Sequence, residues 1–204
     1  RRAAQSGASM LMLMPPYHGT GLRADESGML EHFARVAEAS GIPIIVQDAP
    51  LSGVALSVPF LVRLAREVPL ARYFKIEVPQ AASKLRALIA AGGDEIEGPF
   101  DGEESITLMA DLDAGATGTM CSGLLPDLIK PVLEHHRAGR RKDAAAEYAR
   151  ILPLINYENR QCGLRATKTI MAAGGVIRSD AVRHPLEQLH PATRGGVLEH
   201  AEEL

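Results

Sequence analysis

Five short apolar runs, each closed by a proline, a glycine or a polar turn and each followed by helical periodicity, succeed one another over residues 1–139. Strands alternating with helices pair in parallel through right-handed crossovers, so the expected class is α/β. The first run covers residues 9–14 and ends at Pro15 and Pro16; its helix covers 25–40 and stops at Gly41. Residues 43–46, broken at Pro50, precede a helix over 58–67 for which Ser57 is the expected N-cap. The third strand covers 70–77 and its helix 81–91, stopped by Gly92 and Gly93. The fourth covers 95–100 with a helix over 103–112, and the fifth 116–121 with a helix over 126–137 that opens on Pro126, a residue tolerated in a first turn. Beyond Gly139 the pattern is helical only, over 144–156, 165–173 and, brokenly, from 187 onward. The expected domains are therefore 1–139, five βα units, and 140–204, a helical extension.

Five units do not close an eight-stranded barrel, which takes roughly 250 residues. An open doubly wound sheet, complete as it stands, and the last five units of a barrel both fit. The doubly wound fold usually carries a glycine-rich phosphate turn after its first strand. Here that turn reads Pro15-Pro16-Tyr17-His18-Gly19-Thr20-Gly21, with the wrong glycine spacing.

The third strand holds the most informative side chain, a lysine inside an apolar run. Alternation puts Lys75 and Glu77 on one face and Phe74 and Ile76 on the other. In a barrel the shared face is the interior, at the carboxyl end of the strand, where catalytic groups of that architecture sit. A desolvated amine there can lose its proton and attack a carbonyl. A lysine snorkelling from a strand end fits the same local pattern.

Composition bounds the rest. The chain has 204 residues, 46% of them hydrophobic, and a net charge of -3, too acidic for the clustered basic footprint of nucleic-acid binding. Its densest basic run, residues 137–142, reads as a solvated helix end. Cys121 and Cys162 match no metal spacing and are read as two reduced thiols in a cytoplasmic protein. No run approaches a membrane span and no signal peptide is visible; the first residue is Arg1 rather than Met, which suggests that the natural start lies upstream. His135, His136 and His200 read as helix-surface residues, while His184 and His190 precede prolines in loops. No metal is expected. Ile151, Leu152, Leu154 and Ile155 form an apolar stripe suited to core or subunit packing.

Gly7-Ala8-Ser9, Pro15-Pro16-Tyr17, Pro43-Ile44-Ile45-Val46, Phe74-Lys75-Ile76-Glu77 and Gly115-Ala116-Thr117-Gly118 occur in this order. Together they resemble the dihydrodipicolinate synthase and N-acetylneuraminate lyase superfamily, Schiff-base enzymes on (β/α)8 barrels. The resemblance runs over nearly the whole chain and aligns it with the carboxyl two-thirds of those proteins. It implies a partial TIM barrel. Where most members have a tyrosine proton relay in a Tyr-Asn-x-Pro stretch, this chain reads Gln47-Asp48-Ala49-Pro50. Glutamine can position a water or a carboxylate but cannot act as acid or base. That departure, with Met14-Pro15-Pro16-Tyr17-His18-Gly19, Glu97-Gly98-Pro99, Asp101-Gly102-Glu103-Glu104, Glu158-Asn159-Arg160-Gln161 and Arg183-His184-Pro185, resembles the L-2-keto-3-deoxyarabonate dehydratase branch.

The resemblance implies that Lys75 condenses with the C2 ketone of a 2-keto-3-deoxy sugar acid and that Glu77 transfers protons, unless it is only an ion-pair partner of the lysine. Gln47 would orient the departing hydroxyl or a water, and His18, in the loop after the first strand, would shuttle a proton. Tyr17, Gly98, Asp101, Gly102 and Met120 would line the substrate, the last three largely through their backbones. Cys121 is read as a small core residue. No cofactor is implied beyond the covalent adduct on Lys75, and the partners implied are the small sugar acid and further copies of the chain, as a dimer or tetramer. The Thr/Ser-rich segment that holds the substrate carboxylate in the family, after its second strand, is not in this sequence. A retro-aldolase, a dehydratase of a six-carbon acid, and a non-catalytic sugar-acid-binding remnant remain as rival readings.

Overall fold

A computed structural model describes residues 1–16 and 24–204. The described elements, in chain order, are α1 (Arg2–Gln5), β1 (Leu11–Leu13), α2 (Glu26–Ser40), β2 (Ile44–Asp48), α3 (Val58–Glu67), β3 (Tyr73–Ile76), α4 (Ala81–Gly92) and β4 (Glu97–Asp101). They continue as α5 (Leu108–Asp113), β5 (Gly118–Thr119), α6 (Pro126–Arg137), α7 (Arg141–Asn156), α8 (Leu164–Ala173) and α9 (Pro191–Glu202). Two compact units result, one of Arg1–Glu103 with Ala110–Met120, the other of Glu104–Met109 with Cys121–Leu204. The expected boundary at Gly139 falls inside the second unit, because α6 packs along α7 rather than ending a domain.

In the first unit the five strands are all parallel and lie side by side in sequence order. A doubly wound sheet reverses its order at a switch point. An unreversed run is part of a singly wound barrel, so the structure decides between the two sequence readings. The fold is α/β, a partial (β/α)8 barrel.

Local chemistry sets the element ends. Asp25 caps α2 by accepting the Gly28 N–H at 2.8 Å, and Gly41, at φ 68°, closes it in the left-handed conformation that glycine adopts without a Cβ penalty. Ser57 caps α3 as expected, accepting from the Phe60 N–H at 3.2 Å. The main departure is α5, which begins at Leu108 rather than near Glu103. Glu104 and Ser105 take φ of 53° and 74°, incompatible with a right-handed helix, and the Tyr148 hydroxyl contacts the carbonyls of Ser105 and Ile106, both at 2.7 Å. The last helix starts at Pro191 instead of 187, capped by His190, whose Nδ1 accepts from the Ala192 N–H.

The two sheet faces differ sharply. Ile44, Val46, Phe74 and Ile76 are wholly buried, with Phe33 of α2, Leu61 and Leu64 of α3 and Leu85 and Leu88 of α4. Each such side chain contributes roughly 1.5–3 kcal/mol of burial. The other face carries Ile45, Gln47, Tyr73 and Phe100, all half-buried. In the second unit Ile151, Leu154 and Ile155 of the apolar stripe on α7 are core, while Leu152 is only part-buried. Tyr157–Cys162 between α7 and α8 forms a π-helical turn, a geometry frequent at functional sites.

Candidate active site

Parallel pairing of β2 with β3 sets Gln47 opposite Lys75 and Asp48 opposite Ile76. Register partners in parallel strands project to the same side, so Gln47 and Lys75 share the half-open inner face, whereas Asp48 points among the helices. Glu77 lies one residue past the end of β3, and its N–H donates to the Asp48 carbonyl at 2.9 Å. That bond extends the ladder and holds the Glu77 side chain on the lysine's face. There Glu77 Oε2 accepts from Lys75 Nζ at 2.7 Å and from Gln47 Nε2 at 2.9 Å. The lysine side chain is only 11% exposed and the glutamate 30%, so the amine is mostly withdrawn from solvent while the carboxylate reaches it.

A single carboxylate oxygen thus serves two donors of different chemistry. The amine and the carboxylate lie within proton-transfer distance of each other. The Gln47 amide cannot titrate, so it keeps the carboxylate aimed whichever partner holds the proton.

On β4 a bulge decides what flanks the lysine. Tyr73 pairs with Glu97 and Phe74 with Pro99, leaving Gly98 as the extra residue at φ 43°. A Cβ there would stand 2.8 Å from the Phe100 ring and 3.1 Å from Tyr73, so only glycine fits. The inserted residue reverses the alternation, bringing Phe100 beside Lys75 and turning Asp101 to the helix side with Ile76. One layer below, Tyr73 bonds Glu97, which pushes its hydroxyl above the usual tyrosine range.

The expected substrate contacts resolve unevenly. Asp101 is completely buried and its carboxylate accepts from the Thr119 hydroxyl. The Gly102 N–H donates to Ile76 O and the Met120 N–H to Asp101 O, both at 3.0 Å, so these two donors belong to the ladder rather than to a ligand. A Cβ on Gly102 would stand 2.6 Å from Ile76 O and 2.9 Å from Glu77 Cβ; its role here is to let β4 approach the glutamate. Tyr17 and His18 lie outside the described residues. Among the described residues no group of three or more His, Cys, Asp or Glu side chains is gathered to hold a metal ion.

The whole chain, residues 1–203, matches the model of the dihydrodipicolinate synthetase family. The chain belongs to that family. It is 58% identical over 203 residues to an L-2-keto-3-deoxyarabonate dehydratase of Azospirillum brasilense, covering 100% of this chain and 66% of that protein. It is 29% identical to 4-hydroxy-tetrahydrodipicolinate synthase 1 of Streptomyces coelicolor, covering 96% of this chain and 63% of that protein. The chain therefore spans about two thirds of the length of the curated relatives it matches. Among solved structures, the dihydrodipicolinate synthase of Rhodopseudomonas palustris superposes with a TM-score of 0.85 at 25% identity, over 100% of this chain and 70% of that one. A sialic acid aldolase of Ruminococcus gnavus shares the fold, with a TM-score of 0.83 at 21% identity, over 98% and 66%.

Three features escaped the sequence reading. Asp48, 1% exposed, forms an ion pair with Lys84 of α4 at 2.5 Å; residues so far apart in the chain give no local signal. Burial pushes the Asp48 carboxyl above its usual range against the pull of Lys84 and of the Leu56 backbone. The bulge at Gly98 is the second feature. The third is Glu158 in the π-helical turn, 4% exposed and bonded by the Thr167 hydroxyl. Burial raises its carboxyl too, opposed by Thr167 and Ser122 and assisted by the charge of Glu104.

Proposed function

We propose that this chain carries the Schiff-base centre of a dehydratase converting L-2-keto-3-deoxyarabonate to 2,5-dioxopentanoate and water. The observation that carries the reading is the Glu77 carboxylate shared between Lys75 and Gln47, with the glutamine where the resemblance places a tyrosine relay in most of the superfamily. The 58% identity to a dehydratase, against 29% to a synthase, favours the same chemistry.

Lys75, as the neutral amine, adds to the C2 ketone, and loss of water gives an iminium. That sink acidifies C3, whose proton leaves to form an enamine. The enamine expels the C4 hydroxyl, which takes up a proton and departs as water. Removal of a C5 proton then yields a dienamine bearing an enol; reprotonation at C4 and C3 gives the aldehyde, and hydrolysis of the imine frees the 2-keto group. One water is lost overall. Glu77 moves the protons, help of a kind worth about 10²–10⁴-fold, and Gln47 aims it. No cofactor enters beyond the covalent adduct. The partner is a small sugar acid, with further copies of the chain assembling as a homo-oligomer. Nothing in a net charge of -3 suits nucleic acid, and no helix among the described residues is long and apolar enough to cross a membrane.

Borohydride reduction in the presence of L-2-keto-3-deoxyarabonate, followed by intact mass and peptide mapping, tests the reading. The expected result is a substrate-sized adduct on Lys75 that is absent from Lys75→Ala, in this chain or in a fusion supplying three further βα units from a barrel relative. Failure of the folded fusion to form the adduct overturns it.

A further inference from the structure

We infer that the Asp48–Lys84 ion pair is a positioning device that fixes the Gln47–Glu77 contact from the opposite face of the sheet. Its catalytic meaning rests on the function proposed above. Gln47 and Asp48 are neighbours on β2, one facing the reactive lysine and the other the helices. The Asp48 side chain meets Lys84 at 2.5 Å, and the same ammonium donates to the Leu56 carbonyl at 2.5 Å. Lys84 stands in the first turn of α4, whose first residue, Ala81, is joined to Glu77 through Val78, Pro79 and Gln80.

These links close a ring. From Glu77 the backbone N–H reaches the Asp48 carbonyl; from Asp48 the carboxylate reaches Lys84; from Lys84 the chain returns through α4 to Glu77. Gln80 takes φ of 61°, a left-handed conformation that glutamine adopts at a cost of about 1–3 kcal/mol. The short link is therefore held in shape by what surrounds it. Opening the ring at Lys84 leaves the backbone ladder, through the Glu77 N–H on Asp48 O and the Gly102 N–H on Ile76 O, to orient the end of β3.

Stability alone gives little reason for such a pair. Two charges withdrawn from water recover their desolvation only with excellent geometry, and apolar residues of equal size often serve the fold as well. What the pair supplies that a leucine and a methionine would not is a directional tie between the strand bearing Gln47 and the helix following Glu77.

The test reads Gln47 directly, without catalysis. In the ¹⁵N-labelled chain the side-chain amide of Gln47, assigned by its disappearance in Gln47→Glu, should carry the shift and slowed exchange of a donor bound to a carboxylate. Lys84→Met and the double variant Asp48→Asn/Lys84→Met, which buries no charge, should move that signal to the position of a free amide and speed its exchange, with the remaining backbone amides in place. Lys84→Arg should restore it. A Gln47 signal unchanged in the folded double variant overturns the inference. Borohydride trapping on the parent protein reports separately: a parent that traps no keto acid on Lys75 refutes the enzymatic reading and leaves the Gln47 result to judge the positioning device by itself.

Discussion

The Lys75–Glu77 pair, from β3 and its end, and the Asp48–Lys84 pair, from β2 and α4, lie on opposite faces of the same sheet and differ mainly in what encloses them. At 2.7 Å, Lys75–Glu77 lies on the inner face with a carboxylate open to solvent; at 2.5 Å, Asp48–Lys84 lies on the helix face with its carboxylate 1% exposed. In the first, solvent reaches the carboxylate, as the proposed chemistry requires. In the second, the carboxylate is sealed from solvent, and a lost partner leaves a charge in an apolar wall. The same pair of residue types thus has a carboxylate that reaches solvent on one side of a sheet and a sealed one on the other.

Glu77→Gln tests the open pair most severely. It should retain a borohydride adduct on Lys75 but lower dehydration about 10²–10⁴-fold, as single-turnover assays on the barrel-completed fusion would report. Equal loss of adduct and turnover would mean that Glu77 only holds the lysine.

Breaking the closed pair should instead destabilise the fold. Lys84→Met strands the Asp48 carboxylate and should cost about 3–5 kcal/mol in urea unfolding, with the double variant recovering much of the loss. The pH dependence has a definite sign. An acid whose folded value lies above its unfolded one, 3.8 for aspartate, binds more protons when folded, so stability falls as pH rises from about 3.8 through the folded value. Removing Lys84 raises the folded value further and should widen that window upward.

Gly102→Ala acts between the pairs, because the added Cβ meets Ile76 O and Glu77 Cβ. Overpacking of this kind costs about 1–3 kcal/mol, and the displaced Glu77 should slow turnover while Lys75 still traps substrate.

The smallest effect is expected at Glu158. Its carboxyl is raised above 4.5 by burial, so in the parent protein stability should decline as pH rises from about 4.5 through the folded value. Glu158→Gln keeps an oxygen for the Thr167 hydroxyl and should flatten that decline in urea unfolding. Each tenfold difference in proton affinity between the folded and unfolded chain is worth about 1.4 kcal/mol. A pH–stability curve as steep as the parent's would show that the buried carboxyl is not the source.

Periodicity and punctuation made the five βα units legible, because proline, glycine and capping side chains act within a few residues of themselves. Ser57 and Gly41 did as their chemistry required. The α5 start was illegible because the Tyr148 hydroxyl that engages the carbonyls before it comes from another part of the chain. The sharing of a face by Lys75 and Glu77 was also local, fixed by the two-residue repeat of an extended strand. Their meeting with Gln47 was suggested only by resemblance until the register of β2 on β3 put glutamine opposite lysine.

Residue type and spacing along one segment were enough to set the alternation of strand and helix and the side of the sheet on which Lys75 lies, while the replacement of a tyrosine relay by Gln47 was legible only through the family resemblance. Tertiary structure alone decided that the sheet runs unreversed, that a glycine bulge puts Phe100 instead of Pro99 opposite the lysine and turns Asp101 to the helix side, and that Lys84 meets Asp48 behind the site. Each of these depends on which segments lie next to each other and in what register, quantities that pairing energies across the sheet determine and no single stretch of sequence contains.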